Sequence, residues 1–258
     1  MHKSGNTILL TGGGSGIGRG LAQALHRLGN QVIITGRNQS KLEGTQAECP
    51  GMQIRVLDMN DPAAIRQSAA ELIREFPSLN VVIHNAGIMR AEDLREARLD
   101  DAEEMISTNL LGPIRLTAAL LPHLMARPHA TIANVTSGLA FVPMPATATY
   151  CATKAALHSY TQSLRRQLRE TSVEVLEIVP PYVQTHLTGP AQAEDPRAMP
   201  LDEYLQETMD LLTGDETPAE ILVERVKRQR FAERQGQADE VFAFLCELSE
   251  DRDFARPD

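Results

Sequence analysis

The chain has 258 residues, 42% of them hydrophobic and 4% aromatic, and its 25 Lys and Arg against 34 Asp and Glu give a formal charge of −9. A chain of this length buries a sizeable core without a disulfide or metal staple. Its acidic balance argues against the basic face that nucleic-acid binding needs to displace counterions. Cys49, Cys151 and Cys246 are odd in number and far apart, which fits free thiols in a reducing compartment better than a disulfide framework. No Cys/His group has zinc-ligand spacing. The first apolar stretch, Ile8-Leu9-Leu10, is too short for a signal-peptide core, and no run approaches a membrane span. A soluble cytoplasmic protein is expected.

Short β-branched runs alternate with stretches that repeat apolar residues at spacings of three and four. A strand over Thr7–Thr11 precedes a helix over Ile17–Leu28. Strand Gln31–Thr35 and helix Gln39–Glu48 follow, then strand Gln53–Leu57 and helix Pro62–Phe76. Strand Val81–His84 leads to one long helix over Asp100–Met125, strand Thr131–Val135 to a helix over Tyr150–Arg169, and strand Val173–Val179 closes the regular part. Alternation of this kind predicts right-handed βαβ units and a mainly parallel, doubly wound α/β sheet. Beyond Val179 the texture changes. Pro180-Pro181 interrupts the pattern, and Gly189–Pro200 reads as a mobile loop. A helix near Asp202–Leu212 then precedes a last strand over Ile221–Val226. The Arg- and Glu-rich segment Glu224–Arg234 reads as a solvated helical face or a subunit contact.

The first strand runs into Thr11-Gly12-Gly13-Gly14-Ser15-Gly16-Ile17-Gly18 and then a helix. A dinucleotide pyrophosphate sits well at a helix N-terminus, where bare N–H groups and the helix dipole favour anions. Glycines let the backbone come that close. Strand, glycine turn and helix in this order therefore predict a dinucleotide-cofactor site.

The spacing Gly12-x-x-x-Gly16-x-Gly18, taken with later motifs, resembles the short-chain dehydrogenase/reductase family. His84-Asn85-Ala86-Gly87 follows the fourth strand, where the family usually has Asn-Asn-Ala-Gly. Asn109, Ser137, Tyr150 and Lys154 come in family order, and Pro180-Pro181-Tyr182-Val183-Gln184-Thr185 is similar to its Pro-Gly-x-Val-x-Thr segment. The resemblance covers about residues 1–190. The segments Met89-Arg90, Asn109-Leu110-Leu111-Gly112-Pro113 and Glu220-Ile221-Leu222-Val223-Glu224 are similar to its DltE-like oxidoreductase branch. It implies one Rossmann-type domain over 1–258 with a seven-stranded sheet, a substrate loop at about 186–213 and a variable tail at about 227–258. By the same resemblance, Gly12, Gly14, Ser15, Gly16, Ile17, Gly18, Asp58, Met59, Asn85, Ala86, Gly87, Pro180, Val183 and Thr185 hold the cofactor with Tyr150 and Lys154. Two residues depart from the pattern: His84 changes a structural hydrogen bond, and Pro181 stiffens the backbone beside the nicotinamide.

Cofactor choice is read at the end of the second strand, Thr35-Gly36-Arg37. Gly36 stands where a carboxylate would bond a free ribose 2′-hydroxyl, and Arg37 offers a guanidinium to a 2′-phosphate. NADP(H) is expected over NAD(H). Tyr150 and Lys154, four apart, share one helix face. A nearby ammonium and an oxidised nicotinamide would both stabilise a phenolate, lowering tyrosine's usual ionisation near 10.

By the resemblance, Tyr150 passes a proton to or from the substrate oxygen and Ser137 polarises that oxygen. Lys154 tunes Tyr150 and bonds the nicotinamide ribose, while Asn109 holds a relay water. Thr136 is a rival to Ser137, but spacing to Tyr150 favours the serine. Cys151 reads as packing.

Leu139, Met144 and Tyr182, with His186 as a polar handle, suggest an apolar or mixed acyl or alkyl substrate. The expected reaction is hydride transfer between NADP(H) and a ketone or secondary alcohol. The alternatives are a 3-oxoacyl-thioester reductase and a non-catalytic NADP(H)-sensing regulator. The resemblance also implies that the helices over Asp100–Met125 and Tyr150–Arg169 pack subunits of a homodimer or homotetramer.

Overall fold

Strand β1 (Thr7–Thr11) is buried at all five positions, because it lies in the middle of a sheet covered on both faces. Ile8 and Leu10 point into one apolar layer, with Leu21 and Leu25 of helix α1 (Gly16–Arg27). Leu9 points into the opposite layer, with Leu72, Leu116 and Leu120. Alternate side chains thus enter two cores, which is why the strand reads as continuously apolar.

The computed structural model describes residues 1–96 and 98–250 of the chain. After α1 come β2 (Gln31–Gly36), α2 (Gln39–Glu48), β3 (Gln53–Val56), α3 (Pro62–Glu75) and β4 (Leu79–His84). Then follow α4 (Asp100–Ile106), α5 (Gly112–Met125), β5 (Ala130–Val135), α6 (Ala148–Leu168) and β6 (Val173–Val179). The last elements are α7 (Pro190–Glu194), α8 (Leu201–Leu212), β7 (Glu220–Leu222), α9 (Lys227–Arg230) and α10 (Ala238–Glu250). The described sheet is seven-stranded, in the order β3-β2-β1-β4-β5-β6-β7, and every pairing is parallel. The strand order reverses between β1 and β4, and at such a switch point the carboxyl ends leave a crevice for a ligand. Among the described residues, no helix is long and apolar enough to cross a membrane.

Three expectations need correction. The helix predicted over Asp100–Met125 is interrupted by a π-helical turn over Ser107–Leu111. Pro113 has no N–H to give the Asn109 carbonyl in α register, and the Gly112 N–H reaches back five residues to Ser107. Next, the strand predicted over Ile221–Val226 is shorter. Its ladder ends at Val179↔Leu222, because the neighbouring strand runs into Pro180-Pro181, which cannot donate. Glu224–Val226 instead forms a 3-10 turn that leads into α9. Finally, the segment over Gly189–Pro200 contains α7, started by Pro190 after Gly189 at φ +118°. Its end is buried at Ala198 and Met199, and Met199 bridges to Val183.

Candidate active site

The glycine turn opens at the end of β1. The Gly12 and Gly13 N–H groups both donate to the Thr35 carbonyl, at 2.7 and 3.0 Å, which folds the turn back over β2. Gly12 has φ +73°, and a Cβ there would stand 2.9 Å from the Ala86 Cα. That contact binds the turn to the segment after β4. The Asn85 side chain donates to the carbonyls of Thr11 (3.0 Å) and Gly12 (3.2 Å), while the Thr11 hydroxyl accepts from the N–H groups of Asn85 and Ala86 at 3.0 Å each. Asn85 thus ties two loops from opposite sides of the switch point.

A cleft of about 500 Å³ follows from this arrangement. Gly12, Ser15, Gly16, Ile17 and Gly18 form its floor, with Arg37, Asp58 and Met59 at one end. Asn85, Ala86, Gly87, Pro180, Val183 and Thr185 flank its middle, and Ser137, Leu139, Met144, Tyr150, Lys154, Tyr182 and His186 close the other end. Two predicted residues lie off the cleft. Gly14 packs on Lys41, where a Cβ would meet the lysine side chain at 3.1 Å. Asn109 is buried behind Ile88, whose N–H it accepts at 2.9 Å and whose carbonyl takes its amide at 2.8 Å. A third bond, to Thr153 at 3.3 Å, completes the commitment of that amide.

Ser137 caps a 3-10 turn and accepts from the Leu139 N–H at 3.1 Å. Tyr150 closes the same end of the cleft. Lys154 lies beneath the tyrosine ring, with its ammonium 5.6 Å from the ring centroid and 2.8 Å from the Val135 carbonyl. The electrostatics differ from the expectation of a stabilised phenolate. Burial raises the Tyr150 hydroxyl well above the usual tyrosine value, and the neighbouring Ser137 hydroxyl only partly opposes it. Burial pulls the Lys154 ammonium down to about 8. Tyr150 is therefore held protonated, a state suited to giving a proton to a carbonyl oxygen. Cys151 points away, its sulfur accepting from the Met144 N–H at 3.3 Å, as packing requires.

Arg37 reaches the cleft but also meets Glu104 at 2.8 Å. The arginine is about half exposed, so the pair contributes at most about 1 kcal/mol and leaves the guanidinium recruitable by a stronger anion.

Sequence reasoning missed Lys41, Gln192, Gln229, Leu245 and Leu248, which also line the cleft. The spacing Val241, Leu245, Leu248 on α10 is a legible apolar stripe in the tail. Gln192 carried no such signal. Its amide donates to the Val183 carbonyl (2.8 Å) and the Thr185 hydroxyl (3.0 Å), and accepts from Thr188, so it folds the loop after β6 back on itself.

His84 is buried, with Nε2 2.9 Å from the Thr117 hydroxyl and Nδ1 lacking a hydrogen-bond partner among the described residues. Burial takes the imidazole down to about 4 from its ordinary 6.5. The unfolded chain therefore binds a proton between those values that the folded chain refuses. Stability is complete above about 6.5 and is lost as pH falls towards 4, by up to about 3 kcal/mol from this residue. Thermal midpoints between pH 4 and 7 are expected to fall less steeply for His84→Asn than for the parent. Parallel curves would remove His84 from the cause.

Residues 6–196 match the short chain dehydrogenase family. The chain is 41% identical over 240 residues to the "Uncharacterized oxidoreductase DltE" of Bacillus subtilis, covering 91% of this chain and 94% of that one. A solved short chain dehydrogenase from Burkholderia cenocepacia in complex with NADP shares the fold, with a TM-score of 0.79, 23% identity and coverage of 95% and 99% of the two chains. The closed form of a serine dehydrogenase complexed with NADP+ superposes with a TM-score of 0.72 at 29% identity, covering 77% and 86%.

Proposed function

Since the chain belongs to the short-chain dehydrogenase family of NAD(P)-dependent oxidoreductases, we propose that it reduces a ketone to a secondary alcohol with NADPH, or runs the reverse reaction. The observation that carries this reading is the convergence of Ser137, Tyr150 and Lys154, with the Lys154 ammonium 5.6 Å from the Tyr150 ring centroid, at the end of the glycine-floored cleft.

The residues present fit a dinucleotide. Gly16 and Gly18 bring bare backbone to the start of α1, and Thr185 borders Gly16 so closely that a Cβ there would stand 3.4 Å from its methyl. Ser15, Gly16 and Gly18 would hold the pyrophosphate, Asp58 and Met59 the adenine, and Val183 and Thr185 the nicotinamide end. Bound there, the reduced cofactor supplies the hydride. Ser137 orients and polarises the carbonyl oxygen, and Tyr150 releases its proton to that oxygen. Lys154, with its ammonium 5.6 Å from the ring centroid, favours the phenolate left behind through its charge. The exposed Ile106, Leu111 and Met125 on the π turn and its flanking helices support a subunit contact.

NADP(H) is favoured because Gly36 presents no carboxylate while Arg37 and Lys41 line that end of the cleft. Arg37→Ala is expected to weaken NADPH by about 10-fold or more, the scale of one lost charge-assisted bond, and NADH much less. Fluorescence titration with both cofactors checks this, and equal losses would end the 2′-phosphate reading.

Initial rates with NADPH against ketones, aldehydes and 3-oxoacyl thioesters test the reaction. A thioester preference moves the assignment to acyl-chain reduction. Tight NADPH binding with no turnover of any carbonyl would favour a sensing role and overturn the proposal.

A further inference from the structure

Glu177 lies on β6 between β5 and β7, with its side chain fully buried. The reaction set out above makes no use of it. A carboxylate in a sheet interior is tolerated only where hydrogen bonds and charge compensate its lost hydration. Its partners converge on the strand end that carries the catalytic serine. Glu177 accepts from the Thr136 hydroxyl at 2.7 Å and meets His158 Nδ1 at 2.8 and 2.9 Å through its two oxygens. The His158 ring is held edge-on to Phe141 at 4.8 Å. Phe141 in turn lies beneath the Arg230 guanidinium at 4.6 Å, and Arg230 grips both oxygens of Glu220. The Glu220 hydrogen bond, and to a smaller degree the Glu177 charge, raise Arg230.

Thr136 lines the cleft and immediately precedes Ser137. The backbone on either side of the serine is tied to β6 and its extension, Thr136 N–H to Ile178 and Gly138 N–H to Pro180, each at 2.9 Å. Two hydroxyls therefore stand side by side at the mouth of β5. Glu177 takes the hydrogen of one, which leaves Ser137 as the hydroxyl of this pair free to donate to a substrate oxygen.

We propose that Glu177, seated by His158, is a positioning residue for the carbonyl reduction: through Thr136 it sets the strand end from which Ser137 polarises the substrate. This rests on the reading of Ser137 and Tyr150 given above. The test measures kcat and KM for a ketone with NADPH in Glu177→Gln and Thr136→Val, each alone and combined with Ser137→Ala. Each single variant is expected to lose about tenfold or more in kcat, a coupling of the size found between residues in one hydrogen-bond network. KM and NADPH affinity should stay within about twofold, since the loss falls on the transition state.

In the Ser137→Ala background neither change should cost anything further, because each acts through the serine. Thr136→Ser, which keeps the hydroxyl, should restore the parent rate. It also carries the test, against Thr136→Val, should Glu177→Gln fail to fold. An equal loss with and without Ser137, or no loss at all, overturns the positioning role. A parent enzyme silent towards every ketone overturns instead the reading of the site on which it rests.

Discussion

Tyr150→Phe is expected to reduce carbonyl turnover by at least about 10²-fold, the ordinary scale of positioned acid–base catalysis, while NADPH binding stays near the parent value. The hydroxyl is the one atom removed. It is buried and stands at the same end of the cleft as Ser137, so its loss takes away the proposed proton donor. The ring remains to pack with Ile88, Met89 and Leu245 in the same apolar cluster, so the fold should not suffer. Steady-state rates beside a cofactor titration separate the two effects. Near-normal turnover would remove Tyr150 as the acid.

Gly18→Ala should have the second-largest effect, on stability and cofactor affinity together. A Cβ at Gly18 would run into the Gly12 carbonyl and the Asn85 amide, which bond each other at 3.2 Å across the switch point. Neither can withdraw without opening the glycine turn. Overpacking of this kind costs about 1–3 kcal/mol, and a stranded polar group adds a similar amount. A fall in thermal midpoint of roughly 5–15 °C is expected for a chain of this size. NADPH affinity should drop about tenfold or more, because the same turn is the one proposed to present its N–H groups to the cofactor phosphates. Gly44→Ala is the control. Gly44 lies inside α2 with open space where a Cβ would go, so alanine should be neutral or stabilising by about 0.5–1 kcal/mol. Unchanged stability and affinity in Gly18→Ala would contradict the role given to the Asn85 tie.

The parts of this architecture that local chemistry dictates were legible in the chain. Strand β6 begins and ends where its apolar run does, and α2 starts where Asn38 accepts the Lys41 N–H at 3.1 Å. Elements whose limits depend on a neighbour were not. Strand β7 stops because the adjacent strand reaches two prolines, a fact written about forty residues earlier. The π turn at Asn109 follows from Pro113 acting four residues upstream, inside a stretch whose periodicity reads as unbroken helix.

The candidate site divides in the same way. Spacing placed Tyr150 and Lys154 on one helix face, but spacing carries no information about burial. Burial is what raises the tyrosine and lowers the lysine. The substrate end was least legible: the apolar stripe of Val241, Leu245 and Leu248 marks a buried helix face, but tertiary packing alone brings it and Gln229 to the cleft.

The central claim is that this cleft moves a hydride from NADPH to a carbonyl carbon. Incubation with NADPH deuterated at the reactive nicotinamide carbon, followed by mass spectrometry of the alcohol formed from a ketone panel, tests it most directly. One deuterium is expected on the carbinol carbon of alcohol formed by the parent chain, and its formation should be suppressed in Tyr150→Phe. Tight NADPH binding with no deuterium delivered to any carbonyl compound would contradict it.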